Sequence, residues 1–149
     1  MGADLYINSV FQRQRQEWEH LFEQAARRRD GLQRGSVEYE KAQAQVEEYY
    51  EKMYERGYFR DPYNDHDLLW KFDLSWWDDV VPMLNARSEL TIAQACHLLD
   101  MLKERHEIFQ RKLAPLPAKE RKYFLDRYAD LQKFINDAIE LNSPIDASL

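Results

Sequence analysis

Apolar residues recur every three or four positions along four stretches of the chain, the spacing that places them on one face of an α-helix. The first stretch runs from Ala3 to Arg29 and the second from Ser36 to Gly57. The third runs from Thr91 to Leu113 and the fourth from about Ala118 to Asn142. The pattern therefore predicts four long helices, and it leaves open whether residues 5–7 are instead a short extended lead-in.

Residues typical of helix ends mark the joints between these stretches. The arginines at 27–29 precede Gly31, as expected where cations suit the negative end of the helix dipole and glycine adopts a left-handed conformation. Ser36 is a suitable N-cap for the second helix. Thr91 and Gln94 form a capping box at the start of the third. We therefore predict that the first two helices form one antiparallel hairpin and the last two another.

The segment between these hairpins, residues 57–80, departs from the helical pattern. It reads GYFRDPYNDHDLLWKFDLSWWDDV. Residues 60–65 have the composition of a turn, while Asn64 or Asp65 and then Ser75 are suitable caps for two short helices. The predicted fold is therefore all-α: a single helical domain spanning 1–149, in which two antiparallel hairpins form a helical bundle bridged by a loop and short helices.

Length and cysteine content narrow the class of protein. A chain of 149 residues with 44% hydrophobic residues is large enough to bury about two-thirds of its unfolded surface around one core. Cys96 is the only cysteine, so no intrachain disulfide forms, and a reducing compartment is favoured. The N-terminus lacks the pattern of a signal peptide, and no apolar run approaches a membrane span. We therefore expect a cytoplasmic protein with no membrane partner.

Negative charge is concentrated in the central segment. Between Asp61 and Asp79 six aspartates accompany one lysine, a formal charge of −5 in a chain whose net charge is −6. The isoelectric point near 5.3 argues against direct binding of nucleic acid, which usually requires a basic surface. It is compatible with binding a protein that itself binds nucleic acid.

A structural interpretation of this segment competes with two functional ones. In the structural interpretation, the aromatic side chains fill the space between the hairpins because large rings usually lie in cores. The aspartates then cap helices and solvate the surface. The rings concerned are Trp70, Phe72, Trp76 and Trp77.

In a second interpretation, Asp61, Asp65, His66 and Asp67 ligate a metal ion, since they offer oxygen and imidazole ligands within seven residues. The calcium-loop pattern Asp-x-Asn-x-Asp-Gly is absent, and we assign no metal and no cofactor. A small metal- or carboxylate-dependent enzyme using this cluster at 61–67 remains the alternative function. Phosphate-binding loops, nucleophile elbows and zinc-protease motifs are also absent, so we assign no catalytic residue.

In the third interpretation, the segment is a rigid surface that docks a protein partner with a basic surface. Exposed tryptophans anchor many interfaces, and clustered carboxylates satisfy the same lysines and arginines that bind phosphates. We favour this interpretation and expect a non-catalytic acidic interaction protein. The expected contact residues are Arg60, Asp61, Tyr63, Asp65, His66, Asp67, Trp76, Trp77, Asp78 and Asp79.

Four motifs support one further expectation. The chain contains MGADLYI, GYFRDPYN, LSWWDDV and LTIAQACHLLDML. With these it resembles a group of small, uncharacterised proteins found in bacteria and their phages. The resemblance spans most of the chain and implies a phage or mobile-element protein that inhibits a nucleic-acid-binding defence complex. It implies no catalytic residues.

The oligomeric state is left open by the sequence. Apolar residues from Ile92 to Leu113 form a heptad seam. Such a seam packs either within one chain or against a second copy in a coiled-coil homodimer, because both use the same residues.

Overall fold

The fold combines helices with a β-sheet, so the prediction of an all-α bundle is wrong. The computed structural model describes residues 1–149. Helices account for 64% of the chain. Four strands, β1 (Gly2–Tyr6), β2 (Tyr58–Pro62), β3 (Glu89–Leu90) and β4 (Ile145–Ser148), form an antiparallel sheet in the order β2-β1-β4-β3. The chain divides into two units, residues 8–58 and residues 1–7 with 59–149.

The unit of residues 8–58 is a helical hairpin, as predicted. It contains α1 (Asn8–Asp30) and α2 (Val37–Met53). The two helices are antiparallel, because the Gln14 side chain donates to the Lys52 carbonyl at 2.8 Å while Arg29, near the other end of α1, donates to Gln43 at 2.9 Å. The Ser36 hydroxyl accepts from the N–H of Tyr39 and caps α2, which confirms the predicted start of that helix.

Three further helices belong to the larger unit: α3 (Ile92–Glu104), α4 (His106–Leu113) and α5 (Ala118–Glu140). The heptad seam predicted one helix from Thr91 to Leu113, but the chain breaks at Arg105, whose guanidinium donates to the carbonyls of Phe72 and Asp73 at 3.4 Å. Because of the break, α3 packs against α5 while α4 packs against the central segment. None of the helices is long and apolar enough to cross a membrane.

The strands follow the alternation expected for a sheet with one buried face. Ala3 and Leu5 of β1 are buried, and Leu5 lies opposite Ala147 of β4. Leu90 of β3 lies opposite Ile145, and both are buried. Residues 2–6 are therefore extended, and the question that the sequence left open at the start of the chain is answered in favour of a strand.

The close approach of β1 to β2 explains a glycine at position 2. A Cβ atom there would lie 2.7 Å from the Asp61 carbonyl oxygen and 3.2 Å from Cα of Pro62. Both contacts involve backbone, which cannot move aside without displacing β2. Glycine therefore lets β1 lie directly against the strand that carries Asp61.

The interior of the larger unit contains part of the aromatic central segment. Phe72 stacks on Phe109 of α4 with ring centroids 4.3 Å apart, and Trp76 is 1% exposed. Trp70 and Trp77, in contrast, are each 54% exposed. The interpretation that these rings fill the core is therefore correct for Phe72 and Trp76 but not for Trp70 and Trp77.

Candidate functional site

The central segment is a series of short elements rather than two ordinary helices. After β2 the chain forms one 3₁₀ turn at Leu69–Phe72 and one π-helical turn at Trp76–Val80. The hydroxyl of Ser75 accepts from the N–H groups of Trp77 and Asp78, and the Asp79 carboxylate accepts from the N–H of Ser75 at 2.8 Å. Ser75 is thus the predicted cap, and it fixes the start of the π-helical turn.

Asp61 binds the segment together from the inside. Its carboxylate is 1% exposed and accepts from the N–H of Leu68 at 2.9 Å and from the indole Nε1 of Trp76 at 2.7 Å. A weaker bond at 3.4 Å comes from the N–H of Leu69. One buried carboxylate therefore connects β2, the 3₁₀ turn and the π-helical turn.

The carboxyl group of Asp67 is hydrogen-bonded to this carboxylate. Burial raises the pKa of the Asp67 carboxyl from 3.8 to about 7, and the negative charge of Asp61 contributes to the rise. Burial also raises the pKa of Asp61, but the donors from Leu68 and Trp76 oppose that rise. Below a pH of about 7 we therefore assign the proton of this pair to Asp67, which donates it to Asp61. We call Asp61, Asp67 and Trp76 the inner cluster.

Tyr63 lies between this cluster and the surface. Its hydroxyl oxygen is buried and has no hydrogen-bond partner. Burial raises the pKa of the phenol, and the nearby charges of Asp67, Asp4 and Asp61 raise it further. The Tyr63 ring contacts the exposed ring of Trp77, with centroids 6.1 Å apart.

His66 faces aromatic rings and not carboxylates. Its exposed imidazole lies edge-to-face with Tyr123 at 5.2 Å and stacks on Phe124 at 6.3 Å. Both rings come from α5. His66 follows Tyr63 by three residues, so their Cα atoms lie within about 11 Å of each other. We call Tyr63, His66, Trp77 and Tyr123 the outer patch.

Most of the aspartates of the segment are buried or bonded to other groups of the chain. Asp61 and Asp67 are buried, Asp79 caps a turn, and Asp73 pairs with Lys112, which lowers the pKa of the Asp73 carboxyl. Only Asp65 and Asp78 remain exposed without an ion-pair partner. The surface therefore presents far less negative charge than the sequence indicated.

The predicted ligand cluster is not assembled. The structure contains no group of three or more His, Cys, Asp or Glu side chains that could hold a metal ion. Of the four residues concerned, Asp61 and Asp67 lie together inside, whereas Asp65 and His66 lie at the surface.

The ten residues predicted to contact a partner thus fall into different environments. Burial removes Asp61, Asp67 and Trp76 from any contact surface, since a partner cannot reach them without unfolding the segment. The Arg60 side chain is exposed and pairs with Asp4 at 3.3 Å. Tyr63, Asp65, His66, Trp77 and Asp78 lie at or near the surface, and Asp79 is half-buried.

Sequence reasoning missed Tyr123. It reaches the site because α5 packs beside the turn at Asn64, whose side-chain oxygen accepts from the N–H of His66 at 2.8 Å. No local pattern signals this contact, since it joins residues distant along the chain.

Comparison of the chain with protein-family models, with curated proteins and with solved structures gives no match.

Proposed function

We propose that the protein is a non-catalytic binding protein that docks on another macromolecule through the outer patch and its flanking carboxylates, Asp65 and Asp78. The observation that carries this proposal is the exposure of Trp77, 54% of whose surface is open to solvent beside the ring of Tyr63. Tryptophan and tyrosine are the side chains most often found as anchors of protein interfaces.

The inner cluster supports the proposal by making the patch rigid. Trp77 follows Trp76, whose indole is hydrogen-bonded to Asp61, and the turn that carries both is capped by Ser75. A partner that binds an already ordered surface loses less conformational freedom on association. The segment is thus suited to binding without rearrangement.

The charge of the patch favours a basic partner. Asp65 and Asp78 flank the rings and are not neutralised by ion pairs within the chain. Carboxylates at an interface rim mainly accelerate encounter and set specificity. We propose a nucleic-acid-binding assembly of a bacterial defence system as the target, with the protein acting in the cytoplasm as an inhibitor of phage or mobile-element origin.

An affinity experiment tests the site directly. Wild-type protein and Trp77→Ala are immobilised, and basic proteins retained from a bacterial lysate are quantified by mass spectrometry. We expect Trp77→Ala to reduce retention of the target at least about tenfold, as for loss of an interface anchor. Trp70→Ala is the matched control because Trp70 has the same exposed fraction, 54%, and lies in the 3₁₀ turn.

The outcomes separate the proposal from general stickiness. Selective loss with Trp77→Ala, and further loss with Asp78→Asn, supports the outer patch as the binding site. Equal loss with both tryptophan variants, or equal retention by all baits, overturns it. Circular dichroism and thermal unfolding of each variant establish that the fold is retained.

A further inference from the structure

The hairpin of residues 8–58 has a groove of its own on the surface. It is lined by Phe22 of α1 and by Val46, Glu47, Tyr50 and Glu51 of α2, and its volume is about 300 Å³. That volume is at the lower end of the range for small-molecule sites. The groove therefore has room for one side chain rather than for an extended ligand.

Two aromatic rings and one aliphatic side chain form its apolar part. The rings of Phe22 and Tyr50 lie 6.0 Å apart at 48°, and Tyr50 is 51% exposed. Val46 is 6% exposed and lies one helical turn before Tyr50. The groove thus offers an accessible ring face at Tyr50 above an aliphatic floor at Val46.

Two carboxylates complete the lining. Glu47 and Glu51 are four residues apart, so they project from the same face of α2 with their Cβ atoms about 6 Å from one another. Neither forms an ion pair, although three pairs occur elsewhere in the hairpin. Glu47 accepts only from the neutral amide of Gln43, at 3.1 Å. Across α2, five glutamates accompany two lysines, which leaves the helix negative.

Other aromatic rings of the protein make cation–π contacts with lysine or arginine side chains of the same chain. Lys52 lies 5.9 Å from the ring centroid of Trp18, Lys71 lies 4.9 Å from that of Phe124, and Arg127 lies 4.4 Å from that of Phe59. Phe22 and Tyr50 carry no such cation, although carboxylates flank them. Their groove has the features of a cation site that the chain does not fill.

We propose that this groove binds a lysine or arginine side chain from a basic, amphipathic segment of a partner protein. The cationic group lies against the rings of Phe22 and Tyr50 and between the two carboxylates, and the aliphatic stem packs on the floor of the groove at Val46. Ring faces and carboxylates both attract a cation, and the stem of a long basic side chain packs well on apolar surface. The site lies wholly within residues 8–58 and is independent of the outer patch.

A defined peptide pair tests the proposal with the intact protein. The probe is a short helical peptide of leucine, alanine and lysine with blocked termini, and its partner carries glutamate in place of every lysine. Binding is measured by calorimetry, and the methyl signals of Val46 are followed by NMR. We expect the lysine peptide alone to bind and to shift the Val46 signals.

Charge-neutral variants establish the role of the carboxylates. Glu47→Gln combined with Glu51→Gln is expected to weaken binding about fivefold, the effect of two partly exposed ion pairs. The matched control, Glu40→Gln combined with Glu48→Gln, removes the same charge from the same helix outside the groove and is expected to change binding less than about twofold. Tyr50→Leu keeps an apolar side chain but removes the ring, and it is expected to weaken binding about threefold.

Four results would overturn the proposal. Equal weakening by both double variants would indicate general attraction to an acidic helix. Equal binding of the glutamate peptide would indicate apolar contact alone. Failure of the lysine peptide to move the Val46 signals would place binding elsewhere. Self-association of the protein that is lost in the Glu47 and Glu51 double variant would show that a second copy occupies the groove.

Discussion

Trp76 and Trp77 are adjacent and identical, yet they lie in opposite environments. The first is 1% exposed and its indole donates to Asp61, while the second is 54% exposed and touches only the ring of Tyr63 among the aromatic side chains. Successive residues of a helical turn project in different directions, so one capped turn directs one ring inward and the next outward. Residue type therefore does not distinguish an anchor of the fold from a residue available to a partner.

The aspartates of the same segment divide in the same way. Asp61 is buried and accepts from three donors, the N–H groups of Leu68 and Leu69 and the indole of Trp76. Asp78, in contrast, is exposed and has no ion-pair partner. The inner cluster stabilises the segment, and the outer patch is the part of it that lies at the surface. Four experiments test this division, beginning with the one that has the largest expected effect on the free energy of unfolding.

Removal of the central acceptor is expected to be the most damaging change. Asp61→Ala leaves the N–H of Leu68, the indole of Trp76 and the proton of Asp67 without an acceptor in the interior. We expect a loss of about 3–5 kcal/mol in the free energy of unfolding, measured by urea denaturation, because each buried donor left without an acceptor costs about 1–3 kcal/mol. Asp78→Ala, the exposed control, is expected to cost less than about 1 kcal/mol through the helix dipole. Similar losses in the two variants would contradict the division.

A second test compares the two tryptophans. Trp76→Phe keeps an aromatic ring but removes the Nε1 donor, so Asp61 loses its shortest hydrogen bond, and we expect a loss of about 1–3 kcal/mol. Trp77→Phe is expected to change stability by less than about 0.5 kcal/mol because it alters only an exposed side chain. A thermal midpoint that falls as far for Trp77→Phe as for Trp76→Phe would refute the inward and outward assignment.

The raised pKa of Asp67 predicts a pH dependence of stability. Burial raises the pKa of Asp67 to about 7, so between 3.8 and about 7 the folded protein holds a proton that the unfolded chain has lost. The contribution of this proton to the free energy of unfolding is therefore fully present below pH 3.8, and it is lost as the pH rises through about 7. Asp67→Asn retains a donor for Asp61 without a titrating group. We expect it to flatten the dependence of unfolding free energy on pH and to exceed wild-type stability at pH about 8.

That experiment requires unfolding curves at several pH values for both proteins. A wild-type curve that rises with pH across this range, or an Asp67→Asn curve that keeps the wild-type slope, would show that the proton lies elsewhere.

The smallest expected effect concerns Tyr63. Its hydroxyl oxygen is buried without a hydrogen-bond partner, so Tyr63→Phe removes a group that costs desolvation energy and gains no bond. We expect stability to be unchanged or to rise by up to about 1 kcal/mol. A loss greater than about 1 kcal/mol would show that the hydroxyl has a bonding role, and it would move Tyr63 from the outer patch to the inner cluster.

Local chemistry was sufficient to predict most helices and their caps. Ser36, Ser75 and Thr91 each cap the element that the sequence assigned to them, because capping depends on residues within one turn. The strands were missed for a different reason. β1 has an alternating pattern, with Ala3 and Leu5 buried, but it is five residues long and precedes a strongly helical stretch. β3 has only two residues, too few for any period to appear.

Pairing of distant segments was also beyond a local pattern. β1 and β4 lie at opposite ends of the chain and pair side by side, with Leu5 opposite Ala147. The break at Arg105 likewise depends on carbonyls of the central segment that the guanidinium reaches. Such contacts form only when distant parts of the chain fold together, so neither a heptad pattern nor the helix propensity of single residues predicts them.

The sequence by itself determined most of the helical stretches, the caps at Ser36, Ser75 and Thr91, and the concentration of rings and aspartates in residues 57–80, because each depends on residue type and short spacing. Only the tertiary structure decided which of those rings and carboxylates face inward. Burial depends on the strands and helices that pack around the segment, so Asp61 became the interior acceptor and Asp78 a surface charge. The same dependence gave Trp76 a hydrogen bond and left Trp77 to solvent.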